Sequence, residues 1–210
     1  MCSRLLAPTL DLAQVRRVVV AGGTHGNEFT GVCVLEKLDL TAAELSTNYP
    51  SLAIEMLLVN PLAHSRTRRF LDDDLNRMFS LANLNDITLS GYEANRAKAI
   101  SAELGPKCAW RGEPGDGLAA DLCIDMHTTT ANMGCVILVD SYCVLGLRAA
   151  AYAQENWAAA CAAEGVDPDA FPFRVLVDDD SASQAASGYV CSVARHGCMI
   201  EVGPTPQVRM

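Results

Sequence analysis

Apolar runs of strand length alternate along this chain with stretches of helical period. Residues 17–21, with Val18, Val19 and Val20, read as a buried strand, and residues 28–38 as a helix with Phe29, Val32 and Leu35 near helical spacing. Residues 52–59 read as a second strand, stopped at Asn60-Pro61 because proline removes a ladder donor. A long charged connection follows. Residues 92–104 have the Ala, Glu, Arg and Lys content of a surface helix that ends at Gly105-Pro106. Residues 121–126 form a third strand, apolar from 122 except for Asp125, which runs straight into His127. Residues 136–139 are a fourth strand, and the alanine-rich residues 145–164 a long helix closed by Gly165. Residues 174–177 and 199–202 are two further short strands, and residues 178–188 read as a solvated loop. This alternation predicts an α/β fold: a mostly parallel or mixed central sheet with helices on both faces. At 210 residues the expectation is a single domain spanning 1–210.

Composition narrows the class. Hydrophobic residues make up 50% and charged residues 20%, as in ordinary globular proteins. No apolar run reaches the roughly 18 residues needed to cross a bilayer, and the first residues lack a secretory apolar core, so the expectation is a cytoplasmic protein with no membrane partner. Nine cysteines without C-x-x-C pairs point to reduced, mostly buried thiols. A net charge of −9 disfavours nucleic acid as a partner. Arg66, Arg68, Arg69 and Arg77 stand apart as a local basic cluster, a better match to a small anionic ligand.

Three constellations carry candidate chemistry. Gly22-Gly23-Thr24-His25-Gly26-Asn27-Glu28 puts a His and a Glu three residues apart at a strand end, where α/β proteins collect ligands. A turn His and a helix-start Glu are the plainer alternative. His127, also read as just past a strand end, supplies a second imidazole; with His25 and Glu28 it forms the ligand set of catalytic zinc sites that leave a position open for water. Asp125, two residues earlier, faces the same side and suits a role orienting a ligand or substrate group. In the second constellation, Asn76 and Arg77 suit the carboxylate of an amino-acid substrate and Asp74 could fix an arginine, although from these residues alone a self-paired solvated loop is the favoured reading. Glu201, inside an apolar strand, is a candidate base because burial raises a carboxyl toward the range where it shuttles protons.

The ordered motifs Gly-Gly-Thr-His25-Gly-Asn-Glu28, Arg69 with Asp74-Leu-Asn76-Arg77, Asp125-Met-His127-Thr-Thr, Asn132-Met-Gly134 and Ile200-Glu201-Val-Gly-Pro-Thr-Pro-Gln207 resemble those of the aspartoacylase and aminoacylase-3 family. These are zinc amidohydrolases related to succinylglutamate desuccinylase and zinc carboxypeptidases. The resemblance implies a zinc-carboxypeptidase-like fold and one zinc per chain on His25, Glu28 and His127. It implies Glu201 as proton carrier, Arg69 as the group polarising the scissile carbonyl, and Asn76 and Arg77, with Asp74 beside them, as substrate-binding residues. The implied reaction hydrolyses N-acyl amino acids to a carboxylate and a free amino acid.

Two departures qualify what the resemblance implies. Cys191 stands where aspartoacylases carry the arginine that grips the aspartate side chain, which leans toward aminoacylase-3-like substrates, unless the nearby Arg195 substitutes. The family's β-rich C-terminal domain is expected to be absent, since the chain ends at Met210. A catalytically weak zinc-binding form acting by association with a partner is therefore the alternative. A homo-oligomer is a further expectation left open.

Overall fold

The computed structural model describes residues 12–178 and 183–204. Six strands, β1 Arg17–Gly22, β2 Ala53–Leu58, β3 Leu122–Thr128, β4 Gly134–Asp140, β5 Phe173–Asp178 and β6 His196–Gly203, form one sheet in the order β2-β1-β3-β6-β4-β5. All neighbours run parallel except β4 and β6, so the mixed form of the expected sheet is the one adopted. The helices are α1 Phe29–Leu40, α2 Ala42–Asn48, α3 Pro61–Ser65, α4 Leu81–Asn85, α5 Tyr92–Leu104 and α6 Val144–Ala163. Among the described residues no helix is long and apolar enough to cross a membrane.

The sheet is covered on two sides by different helices. Val19, Ala21 and Cys123 face α5, where Ala97, Ile100 and Leu104 complete a buried core with Val190 and Val193. The opposite face packs Ile124, Ile137, Val139, Cys198 and Ile200 on α6 through Leu147 and Ala150. On that face α1 lies unusually close to β3. A Cβ on Gly31 would stand 2.6 Å from the Met126 carbonyl oxygen, so only glycine allows this approach. Because α1 starts immediately after Glu28, this approach holds Glu28 near the end of β3.

Two differences from the sequence reading have simple causes. The strand read as 121–126 runs to Thr128, because β6 pairs with it through His127↔Glu201 and Thr128↔Val202. His127 thus lies inside the strand. The long connection after β2 holds α3, α4 and a 3-10 turn over Leu75–Arg77, each three to five residues long and too short for a hydrophobic period to reveal. Residues 179–182 of the expected loop lie outside the described residues, and its remainder is tied down. Gln184 Nε2 donates to the Ser192 and Ala194 carbonyls, and Ser187 O accepts from the Lys107 ammonium at 2.7 Å. All eight described cysteines are free, and six are buried.

Candidate metal centre and substrate cleft

β1 ends at Gly22, and Gly23 turns the chain with a φ of +66°, a conformation open to glycine and costly for other residues. The turn delivers His25 and Glu28 to the carboxyl edge of the sheet, and β3 brings His127 to the same edge. The two imidazole centroids stand 5.0 Å apart. His25, Glu28 and His127 are all buried, and each offers a ligand atom within 4.8 Å of the other two. Glu28 lies between the rings: Oε1 is 2.7 Å from His25 Nδ1 and Oε2 is 3.0 Å from His127 Nδ1. The Thr128 N–H also donates to Oε2 at 2.9 Å. Burial pushes the Glu28 carboxyl up, but the bonds and charges of His127 and His25 prevail and hold it at about 2.

The far nitrogens of both rings also meet carboxylates. His25 Nε2 is 3.0 Å from Asp74 Oδ1, and His127 Nε2 is 2.6 Å from Asp125 Oδ2. Asp125, fully buried, also accepts from the Thr24 hydroxyl at 2.7 Å. Burial works against a charged His127, but the Asp125 and Glu28 carboxylates raise its pKa well above the ordinary imidazole value. Two imidazoles that turn Nδ1 toward a shared carboxylate and Nε2 toward separate ones have the arrangement of metal-binding histidines with outer carboxylate partners. The donor set of two nitrogens and a carboxylate matches the requirements of zinc.

The resemblance sets Asp74 among the substrate-binding residues and the sequence reading lets it fix an arginine; in the structure both its oxygens meet protein groups. Oδ1 also accepts from the Asn76 N–H at 3.0 Å, and Oδ2 accepts from Arg69 Nη2 at 3.3 Å. Asp74 therefore does fix an arginine, and it orients His25 as well, a contact across 49 positions that no local pattern signals. Arg69 Nη1 reaches Glu28 Oε1 at 3.3 Å, which places the guanidinium at the exposed rim of the cluster. Asn76 is buried, with Oδ1 accepting from the Val190 N–H and Nδ2 3.3 Å from His127 Nε2. Arg77 is exposed, its guanidinium stacked 5.3 Å from the Tyr189 ring centroid.

Glu201 sits beside His127 in the β6 register, on the same sheet face. Burial raises its carboxyl above the ordinary range; the His127 charge opposes this and the Glu28 charge adds to it. The same face continues into a cavity of about 200 Å³ walled by Leu138, Leu176, Met199, Tyr189 and Cys191, with Asp140 and Asp178 at its edge. Met199 and Tyr189 connect this cavity to Asn76 and Arg77. Arg195 is not part of its lining; it donates to the Arg111 and Gly112 carbonyls and lies over Trp110.

A family model, the succinylglutamate desuccinylase/aspartoacylase catalytic domain, matches residues 14–210. The chain belongs to that family. The N-acyl-aromatic-L-amino acid amidohydrolase (carboxylate-forming) of Xenopus tropicalis is 35% identical over 204 residues, covering 96% of this chain and 59% of the relative. The aspartoacylase of Danio rerio is 32% identical over 199 residues, covering 93% of this chain and 56% of the relative. Murine aminoacylase 3 superimposes with a TM-score of 0.71 at 32% identity, over 92% of this chain and 57% of that one. Succinylglutamate desuccinylase from Vibrio parahaemolyticus, at 14% identity and a TM-score of 0.58, shares the fold. This member of the family therefore spans somewhat more than half the length of the relatives it matches.

Proposed function

We propose that the chain hydrolyses the amide bond of N-acyl-L-amino acids, with zinc held by His25, Glu28 and His127. The observation carrying this reading is the Glu28 carboxylate between two Nδ1 atoms whose rings are braced by Asp74 and Asp125. Zinc bound there supplies a Lewis acid for the acyl carbonyl and lowers the pKa of water at neutral pH.

The remaining steps belong to the chain. Glu201, one strand over from His127, takes the proton of the attacking water and returns one to the departing amine. Its raised pKa suits both halves of that exchange, since a carboxyl close to working pH can accept and then donate. Arg69, fixed by Asp74, stabilises negative charge developing on the carbonyl oxygen. Arg77 offers its exposed fork to the substrate α-carboxylate, and Asn76, buried with its Nδ2 3.3 Å from His127 Nε2, lends an amide donor from the floor of the site. The amino-acid side chain occupies the cavity next to Met199 and Tyr189.

The walls of that cavity favour apolar or aromatic side chains. Leu138, Leu176, Met199 and Tyr189 offer apolar contact, whereas Asp140 and Asp178 repel a second carboxylate. The thiol of Cys191 is buried and pushed well above the ordinary thiol range by burial, so it stays neutral and cannot replace an arginine fork. The name of the amphibian relative, an N-acyl-aromatic-L-amino acid amidohydrolase, agrees with this preference.

The test is zinc content per purified chain, followed by carboxylate release from N-acetyltyrosine and N-acetylaspartate with Glu201→Ala as control. The expected result is about one zinc per chain, the stoichiometry of a site with three protein ligands. Turnover should be faster on N-acetyltyrosine and absent in Glu201→Ala. Zinc without turnover on either substrate would favour the second reading, a catalytically weak zinc-binding family member that acts by association with a partner. Faster turnover of N-acetylaspartate would refute the cavity argument.

A further inference from the structure

Glu93 occupies the first turn of α5 and is fully buried. An acidic residue there ordinarily complements the helix dipole. This one instead gathers four donors from outside its helix. Oε1 accepts from the Leu71 N–H at 2.8 Å and from Asn60 Nδ2 at 3.2 Å. Oε2 accepts from the Asp72 N–H at 3.0 Å and the Asp73 N–H at 3.3 Å. The arrangement is reciprocal, because Asp72 Oδ2 accepts from the Tyr92 N–H at 2.7 Å in the first turn of α5. Burial pushes the Glu93 carboxyl up, yet these bonds outweigh it and keep the group below its ordinary value.

The three backbone donors immediately precede Asp74, which braces His25 and Arg69. Asn60, the fourth donor, bonds through its own N–H to the Gly23 carbonyl at 3.2 Å, two residues before His25. One buried carboxylate thus registers both the His25 turn and the Asp74 loop against α5, which is itself anchored in the core by Ala97, Ile100 and Leu104. Residues 71–73 belong to no helix or strand, so no regular ladder competes with Glu93 for these amides.

We infer that Glu93 is a positioning residue. It fixes the backbone of residues 71–73 so that Asp74 holds His25 and Arg69 in place at the zinc site. The chemical part of this inference rests on the function proposed above, while the clamp itself rests on geometry alone.

The experiment compares wild type, Glu93→Gln and Glu93→Asp with Ile100→Val, a core change on α5 remote from the loop. Amide exchange at residues 71–73, zinc dissociation constants from chelator competition, and kcat and KM on N-acetyltyrosine are measured on each. Both Glu93 variants should speed loop exchange by about tenfold or more, as expected when a local opening loses its hydrogen bonds. Zinc binding should weaken by about tenfold, the lower end for loss of outer-shell support. The kcat should fall by at least as much, with KM within about threefold, the signature of lost transition-state placement. Ile100→Val should leave loop exchange, zinc affinity and kcat unchanged.

Unchanged protection at residues 71–73 in both Glu93 variants would overturn the clamp. Faster exchange with unchanged zinc affinity and kcat, or equal effects from Ile100→Val, would overturn the positioning role. Wild type that holds no zinc would overturn the proposed function, and the positioning role with it, while the exchange rates would still decide whether the clamp exists.

Discussion

Replacing Asp125 by Asn tests how the candidate centre is held. The carboxylate satisfies two donors at once, the Thr24 hydroxyl at 2.7 Å and His127 Nε2 at 2.6 Å, in a fully buried position. Asparagine has nearly the same shape but one acceptor oxygen. If that oxygen stays on Thr24, the amide NH₂ faces Nε2, which can then no longer carry a proton and must accept. The one proton the ring then keeps sits on Nδ1, the nitrogen that faces Glu28 and that must be free for a metal. Metal binding in the variant therefore has to reverse this tautomer and tolerate two opposed donors. Outer-shell carboxylates of this kind typically contribute 10–100-fold in metal affinity, about 1.4–2.7 kcal/mol. Chelator competition at fixed neutral pH should show zinc binding weakened within that range, and urea unfolding should verify that the variant is folded. Adding Thr24→Ala releases the asparagine oxygen to turn toward His127, so the double variant should recover part of the lost affinity. An Asp125→Asn variant that binds zinc as tightly as wild type would refute the bracing role. A double variant weaker than the single one would refute the tautomer argument.

Three further substitutions probe the candidate site and the packing around it. Glu201→Gln should lower kcat/KM by about 10²–10⁴-fold, the range for a general base. In wild type the acid limb of the kcat/KM profile should lie above the ordinary carboxylate range, because burial raises Glu201 and activity is lost as pH falls through its pKa; steady-state kinetics across pH checks both. Arg69→Met should lower kcat by about 10²–10³-fold, as when one oxyanion donor is removed, with a smaller change in KM. Lys107→Met strips the buried Phe79 carbonyl and the part-buried Ser187 carbonyl of their ammonium donor, whereas Ser192 Oγ keeps its bond to Tyr189 O. The expected loss in urea unfolding is about 2–6 kcal/mol, from roughly 1–3 for each of the two orphaned carbonyls. Burial pushes the Lys107 ammonium down to about 8 from 10.5. The unfolded chain therefore binds more protons across that window, so this lysine makes wild-type stability rise with pH between the two values, a rise that Lys107→Met lacks.

Most elements of the fold were legible because they carry their own period. The helix expected over 92–104 is α5 to the residue, and strands were recognised wherever a run of branched apolar residues met a Gly or Pro stop. The short helices between β2 and α5 were not, since a single turn has no period to detect. At the site, His25, Glu28, His127 and Glu201 stand at strand ends or inside apolar strands, where a polar side chain is conspicuous. Asp125 was legible through the strand's two-residue alternation, which puts it on one face with His127, and its 2.6 Å contact with Nε2 agrees with the orienting role.

Local sequence was enough for the alternation of strands and helices, for the residue types available for chemistry, and for the strands that carry or deliver them. Packing between distant segments is what makes Asp74 brace His25, turns Arg195 away from the Cys191 cavity, and sets Glu93 on the loop before Asp74. The physical reason is range. Periodicity and turn chemistry act over a few residues and are written in order along the chain. By contrast, a buried carboxylate takes whatever donors the packing brings to it, 20 to 49 positions away in these cases, and nothing local records which they will be.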